Sequence, residues 1–392
     1  GTAFVVGLFL LGLVPFQGNG IWPGSRDTAY YGVTDMNDAW WGSLEKIKLN
    51  SSPDAIITSW WDFGHWFKYI ADRRVTFDGT SQGNPQAHWV GKILQTNNER
   101  YAVGILRMLD CSGKTGGTKA FDLLNEPIKD IAKTRDLIDP IFTMGKSEAE
   151  QYLAELSKQY PELQKSTDEI LENMYCNPPE AYFIASADMV GKAGVWGHFG
   201  LWDFNRSLMY NELLESKYRA DPELGITFLE ERFNLSPEDA QQLYYQVISF
   251  DSDTANTWIS TWPGYQNANV GCDTLENRTT LECGNGLMIN LTTRPYQLLF
   301  RGNPTLQIYS LVYPTANGSD EQVYSENSDI SVVLYERSKD EISYAVANKR
   351  IANSLFTRMF FMEGHNLNYF EPFDHQRSFN GFDIYVYKVD WN

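Results

Sequence analysis

The spacing of apolar residues changes period along this chain, and that change divides it. From about residue 35 to 250, apolar side chains recur at i, i+3 and i+4 in 37–48, 85–95, 147–159, 185–202 and 237–250, the stripe of an amphipathic helix. Ser236-Pro237-Glu238-Asp239 places a cap, a first-turn proline and acidic residues in the order of a helix start. Beyond about residue 285 the period falls to two, in 306–313, 330–335, 342–347, 355–361 and 382–389. Those segments read as strands, with Asn317-Gly318 and Asn380-Gly381 as turns between them. The expectation is an α+β fold in three parts. Residues 1–17 are read as the remnant of a membrane helix, 18–265 as a mainly helical central domain, and 266–392 as an antiparallel β-rich module. A chain of 392 residues exceeds a single core, which agrees with subdivision.

The apolar run from Ala3 to Val14 stops at Pro15 without a basic flank or a small-residue cleavage pattern, and is shorter than the roughly 20 residues of a spanning helix. It reads as the severed end of a membrane helix, with a buried amphipathic segment as the bland alternative. A formal charge of −18 argues against a nucleic-acid partner, because phosphate contacts depend on Lys and Arg. Aromatic residues reach 14%, which favours sugar or peptide surfaces. Six sequons begin at Asn50, Asn205, Asn234, Asn277, Asn290 and Asn317, which suits an extracytoplasmic surface. Of the four cysteines, Cys272 and Cys283 enclose a polar loop that a disulfide would staple, and no CxxC pair suggests a zinc ribbon.

Three weak motifs give way to plainer readings. Gly113-Lys114-Thr115 lacks the glycine that a phosphate loop needs where Met108 stands, and 108–119 reads as a flexible loop. Asp251-Ser252-Asp253 with Asn256 has no later Glu to complete a calcium loop, so a solvated turn is preferred. His65 and His88 lie near Asp62, Ser59 and Ser81, but the elbow that exposes a nucleophilic serine is missing. Two histidines packed among tryptophans, each with one ring nitrogen satisfied, is the simpler account.

The stretch Ser59-Trp60-Trp61-Asp62-Phe63-Gly64-His65-Trp66-Phe67 follows the β-branched run Ala55-Ile56-Ile57-Thr58. A hydroxyl has one donor and two acceptor lone pairs, an indole only donates, and an ionised carboxylate only accepts. Trp60, Trp61 and Asp62 together would therefore saturate one serine or threonine side chain, and such a site rejects analogues lacking the hydroxyl by roughly 10⁴-fold. Gly64 would permit the close approach that bends neighbouring indoles together. The alternative has Trp60 and Trp61 as core aromatics and Asp62 as a helix cap, and donor counting leaves both open.

Trp60-Trp61-Asp62-Phe63-Gly64 resembles the WWDYG signature of oligosaccharyltransferase catalytic subunits of the archaeal AglB type, with Phe63 in place of Tyr. Asp35-Met36-Asn37-Asp38-Ala39-Trp40-Trp41 and Phe77-Asp78-Gly79-Thr80 are similar to that family too. The resemblance implies transfer of a lipid-linked oligosaccharide to asparagine in N-x-S/T sequons of an acceptor polypeptide, with Trp60, Trp61 and Asp62 binding the Ser/Thr. Asp188-Met189-Val190-Gly191-Lys192 resembles the family's second, DK motif with one extra residue, and i, i+4 spacing still puts both charges on one helical face. Met189 is then a candidate contact for a threonine methyl, and an ordinary surface ion pair is the alternative. The resemblance further implies Mn²⁺ or Mg²⁺ bound in a missing membrane domain, no activity for this fragment alone, and a cell-membrane location with this part on the extracytoplasmic face. The rival class is an extracytoplasmic carbohydrate-binding or glycoside-hydrolase-like domain.

Overall fold

The computed structural model describes residues 36–83, 85–112, 117–275, 279–303, 305–338 and 341–391. The expected membrane-helix remnant at 1–17 lies outside them. Among the described residues no helix is long and apolar enough to cross a membrane.

The central domain is built on a short parallel unit: β1 (Ile56–Thr58), β2 (Arg74–Val75) and β3 (Ala181–Ser186). β1 pairs in parallel with both neighbours, Ile57 lying opposite Val75 on one side and Tyr182 on the other. Every residue of β1 and β3 is buried, as expected for strands covered on both faces. Alternation along β3 sends Ala181, Phe183 and Ala185 into a core with Trp89, Ile105 and Leu124. Tyr182 and Ile184 enter a second core with Trp40, Leu44 and Ile47 of helix Asp38–Asn50. The larger core is filled by helices Gln86–Gln95, Glu99–Cys111, Lys119–Ile128, Lys146–Gln159 and Thr167–Tyr175. Helices Phe204–Leu213, Pro222–Phe233, Pro237–Ile248 and Ser252–Ile259 close around a separate small core of Leu213, Leu229, Ala240, Tyr244 and Val247.

The β module contains β4 (Tyr265–Thr274), β5 (Thr280–Cys283), β6 (Leu287–Asn290), β7 (Gln297–Phe300), β8 (Ser310–Thr315), β9 (Gly318–Val323), β10 (Ile330–Ser338) and β11 (Glu341–Asn348). Their order is β7-β6-β5-β4-β11-β10-β8-β9, around a core of Leu281, Leu287, Ile289, Leu311 and Val332. The sheet is mixed: β8 and β10 run parallel, and the other pairs are antiparallel.

The chain then returns to the first sheet. β12 (Phe370–Arg377) and β13 (Asp383–Val389) form a hairpin whose second strand pairs antiparallel with β3, giving the order β12-β13-β3-β1-β2. The expected module of residues 266–392 is corrected accordingly, because its sheet ends at Asn348. Segment 355–361 is also corrected from strand to helix Leu355–Phe360: Ser354 Oγ accepts from Thr357 N at 3.2 Å and starts it. The helix expected over 185–202 begins only at Asp188, since Ala185 and Ser186 complete β3.

Both cysteine pairs are bridged. Cys272–Cys283 links facing residues of β4 and β5, and Cys111–Cys176 ties the end of helix Glu99–Cys111 to the residue after helix Thr167–Tyr175. Beside Cys111, Asp110 is buried with neither carboxylate oxygen hydrogen-bonded, and burial pushes its carboxyl up to about 7. A raised folded-state pKa favours folding below the unfolded value near 4, and that advantage fades as pH rises through the folded value. Stability measured by urea unfolding should therefore fall between pH 4 and 7 by up to about 1.4 kcal/mol per pH unit from this group. Asp110→Asn should remove that slope.

Candidate functional site

Both singled-out motifs leave the carboxyl ends of adjacent parallel strands. Ser59 to Gly64 follows β1, and Ala187 to Lys192 follows β3. The end of parallel strands is where an open α/β sheet leaves space for a ligand, since the backbone must turn away there. After extended Trp60, residues Trp61–Phe63 make one 3₁₀ turn that leads into helix Gly64–Tyr69.

This turn straddles the end of the sheet. On one side Trp60 is 2% exposed and packs on Trp61 at 4.1 Å between ring centroids. Phe77 and Phe199 pack against both indoles, at 5.6 and 6.1 Å from Trp60 and 5.9 and 5.7 Å from Trp61. On the other side Phe63 stacks on Trp66 at 4.4 Å and meets Trp40 at 4.8 Å. Asp62 sits exposed at the crest between the two aromatic groups, and Trp61 is half-buried beside it. The core reading thus holds for Trp60, whereas the cap reading fails for Asp62, because helix Gly64–Tyr69 has no side-chain cap.

Lys192 joins the two motifs. Its Nζ lies 2.9 Å from Asp62 Oδ1 and 2.9 Å from Asp188 Oδ2, and 5.0 Å above the Phe63 ring. Ser186 Oγ donates to Asp188 Oδ1 at 2.6 Å, so the second carboxylate is held from both sides. Burial pushes the Lys192 ammonium down, but the two carboxylates outweigh it and hold the proton on above the usual lysine range. The longer spacing in Asp188-Met189-Val190-Gly191-Lys192 therefore still closes an i, i+4 pair. Lys192 itself stands at the break between helices Asp188–Gly191 and Ala193–Gly200. Met189 behaves differently from the expectation. It is buried, its Sδ lies 3.6 Å from Ser59 Oγ, and its carbonyl accepts from Trp196 Nε1 at 2.9 Å, so it presents no surface to a threonine methyl.

Gly64 is required by a close approach that sequence reasoning only outlined. A Cβ there would lie 2.5 Å from Asp78 Cβ and 2.9 Å from the Phe77 carbonyl. The residues it admits fix the turn: Asp78 is buried, pairs with Lys68, and accepts from Thr80 N at 3.0 Å and Thr80 Oγ1 at 2.6 Å. Burial alone would raise the Asp78 carboxyl, yet Lys68 and Thr80 hold it well below the usual carboxylate range. This anchor was the functional support least legible in the sequence, where only the likeness of Phe77-Asp78-Gly79-Thr80 marked it.

Of the remaining candidates, His88 takes the packed role expected for it, whereas His65 is not packed and Asp251 opens a helix rather than a turn. His88 is buried, its Nδ1 bonds the Phe199 carbonyl at 2.9 Å, and desolvation lowers its pKa to about 3, so it is a neutral prop beneath Phe199. His65 is exposed. Asp251 caps helix Ser252–Ile259 through Thr254 N at 2.8 Å. Among the described residues no group of three or more His, Cys, Asp and Glu could hold a metal ion. Asp62 and Asp188 are already bridged by an ammonium, which does not fit a divalent cation between them. What the crest offers chemically is an oriented carboxylate and a half-buried indole beside an aromatic wall.

Two outcomes follow. Gly64→Ala should destabilise the fold by about 1–3 kcal/mol in denaturant titrations, because the obstacle is Asp78 and backbone rather than a mobile side-chain end. A depressed folded-state pKa stabilises above the unfolded value near 4 and loses that share as pH falls below it. Asp78→Asn should accordingly lower stability at neutral pH and flatten the acid limb of the unfolding curve.

Comparison with known proteins bears on one part of the chain. Residues 53–179 match the family described as the STT3/PglB/AglB core domain. A dolichyl-phosphooligosaccharide-protein glycotransferase of Methanococcus voltae is 38% identical over 179 residues, which is 45% of this chain and 19% of that protein. The protein of the same description from Methanocaldococcus jannaschii is 36% identical over 171 residues, 43% of this chain and 18% of its own length. The chain thus spans less than a fifth of either relative in these matches. The crystal structure of the C. jejuni PglB C-terminal domain covers 89% of this chain and 99% of its own at 13% identity, with a TM-score of 0.39, too remote a likeness to bear on function.

Proposed function

We propose that this chain is the acceptor-reading part of an oligosaccharyltransferase that transfers a lipid-linked oligosaccharide to asparagine in N-x-S/T sequons. The observation that carries the reading is the exposed Asp62 carboxylate, oriented by Lys192 at 2.9 Å and flanked by Trp61, at the open end of β1. The sequon hydroxyl donates its proton to Asp62 and receives the Trp61 indole N–H. Buried Trp60 serves as the platform on which Trp61 rests, rather than as a third contact. Lys192 keeps one carboxylate oxygen occupied, so the other faces the acceptor, and its charge is shared with Asp188. Phe63 contributes its ring to the Lys192 ammonium and has no hydroxyl to offer.

The same reading assigns activation of the acceptor amide, the lipid-linked sugar site and a divalent cation, Mn²⁺ or Mg²⁺, to parts of a full-length enzyme beyond this chain. That enzyme is placed at the cell membrane with this domain on the extracytoplasmic face, and the chain alone is inactive. The test is a full-length enzyme carrying this sequence, assayed with peptides ending the sequon in Thr or in 2-aminobutyrate, which lacks the hydroxyl. Asp62→Ala should lower kcat/KM for the Thr peptide by about 10- to 100-fold, the loss of one hydrogen bond to a charged group worth about 1.5–3 kcal/mol. It should also erase the preference for Thr over 2-aminobutyrate. Undiminished preference in the variant would sink the assignment, and saturable binding of neutral oligosaccharide by the 392-residue chain alone would favour a carbohydrate-binding domain instead.

A further inference from the structure

The carboxyl-terminal residues approach a pocket at the other end of the first sheet, away from the crest. It is a cavity of about 410 Å³ between helix Glu99–Cys111, the segment before helix Lys146–Gln159, and the chain after β13. Arg100, Arg107 and Lys146 line it together with Tyr175, Tyr369 and Trp391. Arg100 and Arg107 are seven residues apart, two helical turns, so both project from one face of their helix. Lys146 opens the first turn of a 14-residue helix, where backbone N–H groups point outward and the dipole favours negative charge.

Three cations converging on one cavity is unexpected in a chain of formal charge −18. Among the described residues none of the three forms an ion pair, although Lys158 and Lys165 nearby in sequence each pair with a glutamate. Glu148, in the first turn of the helix that Lys146 opens, is turned to cap Gly145 N at 2.8 Å. The Arg107 guanidinium donates from Nη2 to the Trp391 carbonyl and lies 5.9 Å from the Trp391 ring, while its buried Nε has no hydrogen-bond partner. Tyr175 closes the floor, its hydroxyl shared between the carbonyls of Ile141 and Met144. Tyr369 and Trp391 add flat apolar surface beside the charges.

We infer that this cavity binds a small oxyanion carried on a ring, a sugar phosphate or sugar acid, with Arg100, Arg107 and Lys146 holding the anion and the aromatic side chains meeting the ring. The site is separate from the Asp62 crest and does not depend on the function proposed for it. Calorimetry on the 392-residue chain tests it with glucose 1-phosphate, glucuronate and neutral glucose. Saturable binding is expected for at least one anion, and the tighter of the two names the oxyanion. Glucose should not bind measurably. Arg100→Gln with Lys146→Gln, both at exposed positions, should weaken the anion at least tenfold, whereas Lys158→Gln with Lys165→Gln, the same change of charge elsewhere, should leave it unaltered. The inference is overturned if neither anion saturates, if glucose binds as well, or if both double variants behave alike.

Discussion

Parallel pairing of β1 with β3 is the constraint on which the rest of the central domain depends. Because the two strands run the same way, their carboxyl ends finish on one edge, and segments about 130 residues apart in sequence emerge side by side. An antiparallel arrangement would have sent Asp62 and Asp188 to opposite ends. The pairing also explains the burial of both strands, since the chain between them has to cross over and covers the sheet as it does so. Most of the helical core is that crossover.

A charged triad then stabilises what the strands align. Among the described residues Lys192 alone touches both carboxylates, and its position at a helix break gives its side chain reach to Asp62 on the neighbouring loop. The pair is one-third exposed on either side, so its direct contribution to stability is small, and its value lies in orientation. The aromatic groups on both flanks supply the rigidity. Trp60 and Phe63 belong to different cores on opposite sides of the sheet, so the carboxylate between them is fixed by two independent packings.

Much of this was legible from residue order, and the rest was not for identifiable reasons. Helices with both a buried and an exposed face, such as Asp38–Asn50 and Pro237–Ile248, were readable to within a residue or two. Leu355–Phe360 was misread because every residue from Leu355 to Met359 is buried, which removes the period that distinguishes helix from strand, and the Ser354 cap was the better signal. The strand character of 382–389 was legible, but alternation says nothing about which sheet a strand will join. Donor counting over Trp60, Trp61 and Asp62 overestimated how many of the three reach the surface, since Trp60 is buried. It treated three adjacent side chains as equivalent when the 3₁₀ turn places Trp60 beneath Trp61. Met189 failed for a related reason: beside a charged pair on a short helix, the apolar residue faces inward.

The late return of β12 and β13 has a consequence for how the molecule is made. On a ribosome, Trp60, Asp62 and Lys192 are synthesised long before residues 383–389, which cover the outer edge of β3. Until those residues emerge, β3 has an unclad margin of backbone amides and carbonyls, and the eight-stranded module is synthesised in the interval. The crest is consequently assembled early but secured only once residues 383–389 have emerged, so a chain released before them would carry the crest on a sheet prone to pairing with strangers.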